Sequence, residues 1–279
     1  MRYLIKNTLR PFYYYLKNPY EREFCKLYDK YGRCKRYKRI NGVRFLDYIF
    51  DVPDLPSFLW QFKEIFVDEI YNFEPKTNKP LIYDCGANIG ISVLYFKQLF
   101  PKAKIKAFEA DQIIVDILKN NLLKNGINDV EIINKAVWIN NNGVEFGSDG
   151  ADGGSVILSN NKTQIESIRL KDLLEKEEKI DLLKIDVEGA EYDVLLDCKD
   201  NLDNIDNLFV EYHSWNNTSQ KLSKILEVLE ENKFRYYIES VSKRKKPFIN
   251  KDRDKNMDLQ LNIFAYNQKK NKYGKKKNN

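Results

Sequence analysis

The stretch LIYDCGANIG, Leu81 to Gly90, decides how the chain is read. A short apolar run, Leu81 to Tyr83, meets an acid at Asp84, and Gly86, Asn88 and Gly90 then take alternate positions. Ile89, Val93, Phe96 and Phe100 follow at helical spacing until Pro101 stops them. The pattern predicts a buried strand, a tight turn and a helix. Glycine tolerates positive φ and lets the backbone pass close to a neighbour or ligand, which is what Gly86 and Gly90 offer at the end of a strand.

The alternation continues outward. KIKAFE predicts a second strand ending at Glu109, and Ile114, Ile117, Leu118 and Leu122 mark a helix closed by Asn125-Gly126. VEII is a third strand and DLLKID a fourth, whose near-continuous apolar run suits a parallel strand buried on both faces. NLFVEY is a fifth, and Leu222, Ile225, Leu226 and Leu229 form another helical stripe. FRYYIESV and LNIFAYN predict a closing hairpin on one edge, joined by the charged loop SKRKKPFINKDRDKNMD. Strands alternating with helices imply an α/β fold, its sheet mostly parallel with an antiparallel C-terminal hairpin. Upstream, Phe58, Phe62, Ile65, Phe66, Ile70 and Phe73 share one helical face, and EPKTNKP, Glu74 to Pro80, breaks the chain. The expected domains are a helical, basic extension over 1–79, a ligand-binding domain over 80–267 and a disordered lysine-rich tail over 268–279.

Ligands on such a sheet bind beyond the carboxyl ends of the strands, near the point where strand order reverses. A dinucleotide site favours G-x-G-x-x-G with a pyrophosphate on the helix N-terminus. Here the spacing is Gly86-x-x-x-Gly90, and Asp84 stands just before it, where its charge would repel a pyrophosphate. That carboxylate suits a cation, and S-adenosylmethionine carries a sulfonium and an ammonium. Glu109, at the end of the second strand, can accept both ribose hydroxyl protons in either ligand class. The plainer alternative for Asp84 is a cap on the next helix.

DCGANIGISVLYFKQLFP, AFEAD, NKAVW, LLKIDVEGAEYDVL and VEYHSW stand in this order between about Phe66 and Tyr237. On these five motifs the chain resembles the FkbM family of S-adenosylmethionine-dependent methyltransferases. It departs at Ala110, where the family often has proline, but keeps the acid beside it. The resemblance implies a Rossmann-like class I methyltransferase sheet and S-adenosylmethionine as methyl donor. It also implies that Asp84, Gly86, Asn88 and Gly90 line the methionine and ribose part, that Glu109 holds the ribose and that Ala136 sits near the adenine. The acceptor it implies is an oxygen, often on a sugar or a natural product.

Methyl transfer from an activated donor needs alignment, and a hydroxyl acceptor must also lose its proton to a general base. The KIDVEGAE stretch brings Asp186, Glu188 and Glu191 to the carboxyl rim, and His213 follows the fifth strand on the same rim. His213 is the first candidate base, since an unperturbed imidazole titrates near neutrality; Asp186 is the second, and Glu188 the third catalytic candidate. The plainer alternatives are a packed histidine beside Tyr212 and Trp215, and helix capping by Glu188 and Glu191. A divalent ion on Asp186, Glu188 and Glu211 is a further option. Acids at a strand end more often serve separate tasks, so no metal is expected. GSDGADGGSV, Gly147 to Val156, reads as a mobile loop over the site or as a long turn.

Composition limits the rest. With 279 residues and 43% hydrophobic content the chain can bury a sizeable core. The cysteines, Cys25, Cys34, Cys85 and Cys198, form no C-x-x-C pair, and one histidine leaves no standard zinc site, so reduced thiols are expected. MRYLIKNTLRPFYYYLKN lacks a long apolar core, which predicts neither a signal peptide nor a membrane span and places the chain in the cytoplasm. The net charge of +6 equals the six lysines of the last thirteen residues, so it is a poor argument for nucleic acid. The basic termini leave peripheral contact with an anionic inner membrane face open. A sugar or glycan hydroxyl is the first expected acceptor, with Trp215 and Tyr212 read equally as stacking surfaces or as core, and a lipid or polyketide hydroxyl the second. Nucleic acid ranks third: NPY, Asn18 to Tyr20, lies before the donor motif and reads as a turn. A non-catalytic scaffold on the same fold is the alternative of another class, and the intact Asp84 and Glu109 argue against it.

Overall fold

The computed structural model describes residues 18–147, 163–241, 244–251 and 257–268. Most of the glycine-rich GSDGADGGSV stretch, the first seventeen residues and almost all of the lysine tail lie outside the described residues.

The N-terminal extension is not only helical. Helix α1 (Pro19–Tyr31) starts on Asn18, whose side-chain oxygen accepts the amides of Tyr20 and Glu21. NPY is therefore a capped helix start and not a free turn, because Pro19 occupies the first helical position, where no N–H is needed. An antiparallel hairpin follows, β1 (Ile40–Phe45) and β2 (Tyr48–Val52). Its signal is two-residue alternation: Val43 and Phe45 are buried while Arg44 between them is exposed. Helix α2 (Leu55–Phe62) then widens into a π-helical turn, Lys63–Val67, so the single helix expected over 57–73 ends early. Of the predicted apolar face, Phe58, Phe62, Ile65 and Phe66 are buried, while Ile70 and Phe73 lie beyond the turn and are half-buried.

From β3 onward the expected order appears: β3 (Leu81–Cys85), α3 (Ile91–Leu99), β4 (Lys104–Phe108), α4 (Gln112–Lys124) and β5 (Val130–Ile133). Short strands β6 (Ala136–Trp138), β7 (Val144–Phe146), β8 (Thr163–Ile165) and β9 (Ser167–Arg169) pair among themselves as β6 with β9 and β7 with β8. Then come α5 (Leu170–Leu174), β10 (Ile180–Ile185), α6 (Glu191–Asp197), β11 (Ile205–Trp215), α7 (Leu222–Glu231), β12 (Phe234–Ser240) and β13 (Met257–Asn267). Seven strands form the main sheet in the order β12-β13-β11-β10-β3-β4-β5. All neighbours from β11 to β5 are parallel, and β13 runs antiparallel between β11 and β12. The chain leaves β3 toward β5 on one side and returns to β10 on the other. The carboxyl ends of β3 and β10 are thus the point where strand order reverses.

Two apolar layers cover the sheet. On one face Phe45, Phe50, Phe58, Phe62 and Phe66 from the extension join Tyr95, Phe96, Ile105 and Leu118 in one core. Phe62 and Phe66 stack at 5.0 Å, and Phe66 meets Tyr95 edge-on at 5.2 Å. On the other face Leu170, Leu174, Val194, Leu195, Ile225 and Leu229 from α5, α6 and α7 pack on Leu183, Ile185 and Val210. The aromatic extension therefore serves as part of the covering layer. Asn121, fully buried, bonds both the amide and the carbonyl of Asp51 in the hairpin and also donates to the Ile89 carbonyl beside the glycine turn.

Candidate active site

The glycine turn is shaped by what it must avoid. Gly86 has φ +90°, and a Cβ there would lie 1.9 Å from the Asp186 carbonyl oxygen on the neighbouring strand end. Gly90 has φ +92°, and its Cβ would lie 2.5 Å from Leu118 Cδ1. The two bare positions bring the turn against β10 and against α4. The amides of Gly86 and Ala87 both donate to the Phe108 carbonyl (3.0 and 2.9 Å), and Asp186 N donates to the Cys85 carbonyl (3.0 Å). These bonds lace the ends of β3, β4 and β10 into one rigid edge. Asn88, at φ +48°, returns its side-chain oxygen to the Ile89 amide (2.6 Å).

Asp84 is placed differently from the sequence expectation. Its carboxylate is fully buried and does not stand open to a ligand. It accepts from Ser92 Oγ at 2.5 Å and lies 3.2 Å from Lys184 Nζ. Lys184 belongs to the KIDVEGAE stretch, where residue order alone gives it no role. It is 3% exposed, donates to the Gly86 carbonyl at 2.8 Å and bridges to Asp186 at 3.2 Å. Burial alone would lower its pKa, but Asp186 and Asp84 more than offset that and hold it well above the usual lysine value. One buried ammonium thus ties two carboxylates to the turn.

Glu109 sits at the end of β4 with each oxygen engaged by one backbone amide, Asn88 N on Oε2 and Asp111 N on Oε1, both at 3.0 Å. A carboxylate has about four acceptor sites, so it retains capacity for hydroxyl donors. Burial pushes its carboxyl up to about 7 despite those amides. Asn134, the first residue of NKAVW and given no role by its motif, donates to the carbonyls of Glu109 and Ala110 (3.1 and 3.2 Å) and fixes this corner. Ala136 lies two residues further on, buried in β6, its amide on the Glu166 carbonyl at 2.9 Å.

The catalytic candidates converge on the rim of β10 and β11. His213 is buried, with its side chain 1% exposed; its Nδ1 lies 2.9 Å from Glu191 Oε1. Its Nε2 lies 3.6 Å from both Glu188 and Glu211, and the Gln260 amide approaches it at 3.2 Å while also donating to Glu211. Burial alone would depress the imidazole pKa; Glu188 and then Glu191 reverse this and raise it well above the ordinary value. That shift favours the protonated imidazolium, the form with no site left to take a proton. Burial pushes Asp186 up to about 6, against the opposing pull of Lys184, and pushes Glu188 well above the usual carboxyl range. Glu211 goes the other way: burial would raise it, but the bonds to His213 and Gln260 lower it. Glu191 is itself buried and accepts the Gly189 amide at 2.8 Å, so it braces the start of α6 as well as His213. One ligand atom each of Asp186, Glu211 and His213 falls within 4.8 Å of the others, a donor set compatible with a divalent cation.

Two further groups reach this rim from the extension, and neither belongs to a recognisable motif. Tyr71 is buried with its ring 5.9 Å from Lys184 Nζ. Glu64, in the π-helical turn, feels Glu211 and Asp186; burial first, and then these charges, push it up to about 7. A π-turn interrupts a helix to re-aim its side chains and is frequent at functional sites, but no residue signature marks it in advance. Of the expected stacking residues, Tyr212 belongs to the core, its hydroxyl bonded to the Lys221 amide at 2.8 Å. Trp215 lies parallel to His213, ring centroids 6.4 Å apart, and its Nε1 has no partner among the described residues.

Residues 84–236, more than half of the chain, match the methyltransferase FkbM domain. A methyltransferase of Sordaria araneosa, sdnD, is 32% identical over 176 residues, spanning 48% of this chain and 66% of that protein. The 2-O-methyltransferase NoeI of Sinorhizobium fredii (strain NBRC 101917 / NGR234) is 28% identical over 155 residues, 48% of this chain and 63% of the relative. The matched part thus spans just under two thirds of these relatives. The solved methyltransferase FkbM of Methylobacillus flagellatus KT superimposes with a TM-score of 0.43 at 18% identity, over 68% of this chain and 45% of that one.

Proposed function

This chain belongs to the FkbM methyltransferase family, and on that premise we propose that it transfers a methyl group from S-adenosylmethionine to a hydroxyl of a sugar or glycan. The observation that carries the reading is the imbalance of charge on the rim: Asp186, Glu188, Glu191 and Glu211 gather around the cations Lys184 and His213. Burial pushes the Asp186 carboxyl up to about 6 and the Glu188 carboxyl well above the usual range, which marks ionised forms short of compensation. A cationic donor suits such a site, because a positive charge nearby favours the ionised carboxylates. Glu109, held by backbone amides at the end of β4, suits the ribose. When bound, the donor supplies a methyl already activated on positive sulfur, and the protein's part is alignment and proton removal.

The base we assign is Asp186, not His213. Asp186 is mostly ionised at neutral pH yet, at about 6, more basic than a free carboxylate. His213 and Lys184 bracket it and stabilise the ionised form. Oxygen as acceptor is supported by the relative named a 2-O-methyltransferase. A sugar is supported by Trp215, a half-buried ring at the end of β11 that lies parallel to His213 on the rim.

The test is calorimetric titration with S-adenosylhomocysteine and, separately, NAD, followed by labelled methyl transfer onto glycan fractions. Binding of the first alone with label in a glycan is the expected result. Binding of NAD alone would overturn the donor, and label only in lipid or small-molecule fractions would overturn the acceptor class.

A further inference from the structure

The loop between β12 and β13 has a composition that the methyl-transfer site does not use. Residues 243–255 hold seven lysines and arginines against two aspartates. At its tip Phe248 is 93% exposed and Ile249 75% exposed, adjacent to one another. Large apolar side chains exposed singly are ordinary, but a neighbouring aromatic and aliphatic pair held fully in water is not. The tip is a formed turn: the amides of Ile249 and Asn250 both donate to the Lys246 carbonyl at 2.9 Å, and the Asn250 side chain donates to the Lys245 carbonyl at 2.6 Å. Arg244 ties its base by donating to the carbonyls of Lys251 and Asp258. The pair is therefore presented by the backbone. Exposed Lys245, Lys246 and Lys251 flank it.

The topology fixes where this tip points. β12 and β11 both run antiparallel to β13, so they end at the same edge. Ser240 pairs with Leu261, His213 with Gln260 and Trp215 with Met257. The loop thus leaves the sheet at the rim that holds His213 and Trp215.

We propose that this loop docks the protein on an anionic phospholipid surface, with Phe248 and Ile249 entering the acyl boundary and the flanking cations meeting the headgroups. The chemistry matches both parts: bilayers take up aromatic and aliphatic side chains at the interface, and anionic headgroups attract clustered lysines and arginines. Phosphates of a nucleic acid would satisfy the lysines, and a base could stack on Phe248, but neither gives Ile249 a partner. Docking in this way sets the active-site rim against the bilayer, so that an acceptor carried at the membrane surface meets it directly.

The test is cosedimentation of the full chain with phosphatidylcholine vesicles and with vesicles that also contain phosphatidylglycerol, comparing wild type with the double variant Phe248→Ala/Ile249→Ala. The variant keeps every charge, including those of both termini, so a loss of binding reports on the tip alone. Wild type is expected to sediment with the anionic vesicles only, and the double variant to bind on the order of a hundredfold more weakly, from the apolar area withdrawn. Lys245→Gln and Lys246→Gln should each cost about fivefold, the worth of one basic residue near such a surface. A Phe248→Trp variant should add a blue-shifted emission, over that of wild type, on mixing with anionic vesicles. No binding by wild type, equal binding by the double variant, or no added blue shift from the Phe248→Trp variant would overturn the proposal. So would loss of affinity for single-stranded RNA in the double variant with vesicle binding intact. The assay needs neither methyl donor nor acceptor, so its failure is distinct from failure of the proposed reaction.

Discussion

Asp84 and Asp186 stand at the ends of adjacent strands, and both touch the same ammonium of Lys184 at 3.2 Å. Their surroundings differ. Asp84 is fully buried, with Ser92 as a donor on Oδ2 and Lys184 as the counter-ion beside Oδ1, so the floor of the site is closed. Asp186 shares the rim with Glu188, Glu211 and Glu64, and burial, with Glu211 adding to it, pushes its carboxyl up to about 6. One carboxylate has been committed to holding the turn. The other is left more basic than a free carboxylate. A residue's depth relative to its one shared counter-ion separates structural from chemical acids here, where residue type does not.

The largest effect should come from removing the ion that both regions share. Lys184→Met leaves Asp84 buried without its counter-charge, and breaking a buried pair in this way costs about 3–5 kcal/mol. Chemical denaturation should show that loss, and pairing the change with Asp84→Asn should recover part of it in a double-mutant cycle. Full recovery would place all of the ammonium's structural role on the floor. No coupling at all would dissolve the distinction between floor and rim.

Asp186→Asn should act on turnover instead, lowering it by about 10²–10⁴-fold, the usual range for a general base, with affinity for S-adenosylhomocysteine little changed. The pH profile sharpens the assignment. Asp186 must be ionised to work, so turnover should climb as pH rises through about 6 and level off above it. In the Asn variant that limb should vanish. If His213 were the base, the limb would lie well above the ordinary imidazole value, since its pKa is raised by Glu188 and Glu191. His213→Gln should therefore lower turnover and move the limb upward from about 6 without abolishing it, since His213 helps to hold Asp186 ionised.

Much of this is legible in the order of residues, and the exceptions have physical causes. The strand–turn–helix of β3 and α3 follows from apolar spacing and from the two glycines, which local sterics require. The parallel strands follow from their unbroken apolar runs, and the rim location of Asp186 and His213 follows from topology alone. Lys184 escapes, because a lysine inside an apolar strand reads as an interruption until its two carboxylates are seen to be neighbours across β3 and β10. The upward shift of the His213 pKa is also out of reach, since it depends on glutamates brought together by folding. The β1–β2 hairpin is missed because its alternation is short and its partners, Asn121 on α4 and Asn125 capping its end, lie 70 and 76 residues away in sequence. The widening at Lys63–Val67 leaves the apolar face intact and carries no signal of its own.

The smallest effect tests whether the rim extends into the N-terminal region. Glu64 has its folded-state pKa raised to about 7 from 4.5, by burial and then by Glu211, Asp68 and Asp186. Between those values the folded protein holds a proton that the unfolded chain has released. Stability from this group is therefore present at low pH and declines as pH rises through the window, the reverse of an ordinary ion-paired carboxylate. Glu64→Gln keeps the shape and removes the ionisation. It should raise the melting temperature at about pH 8, by the equivalent of about 1–2 kcal/mol. At about pH 4, where the carboxyl is largely protonated in both states, it should leave the melting temperature nearly unchanged. A gain that persists in acid would mean a packing effect. No gain in base would separate Glu64 from the crowded rim and confine the imbalance to β10 and β11, which would also remove the extension from the chemistry of the site.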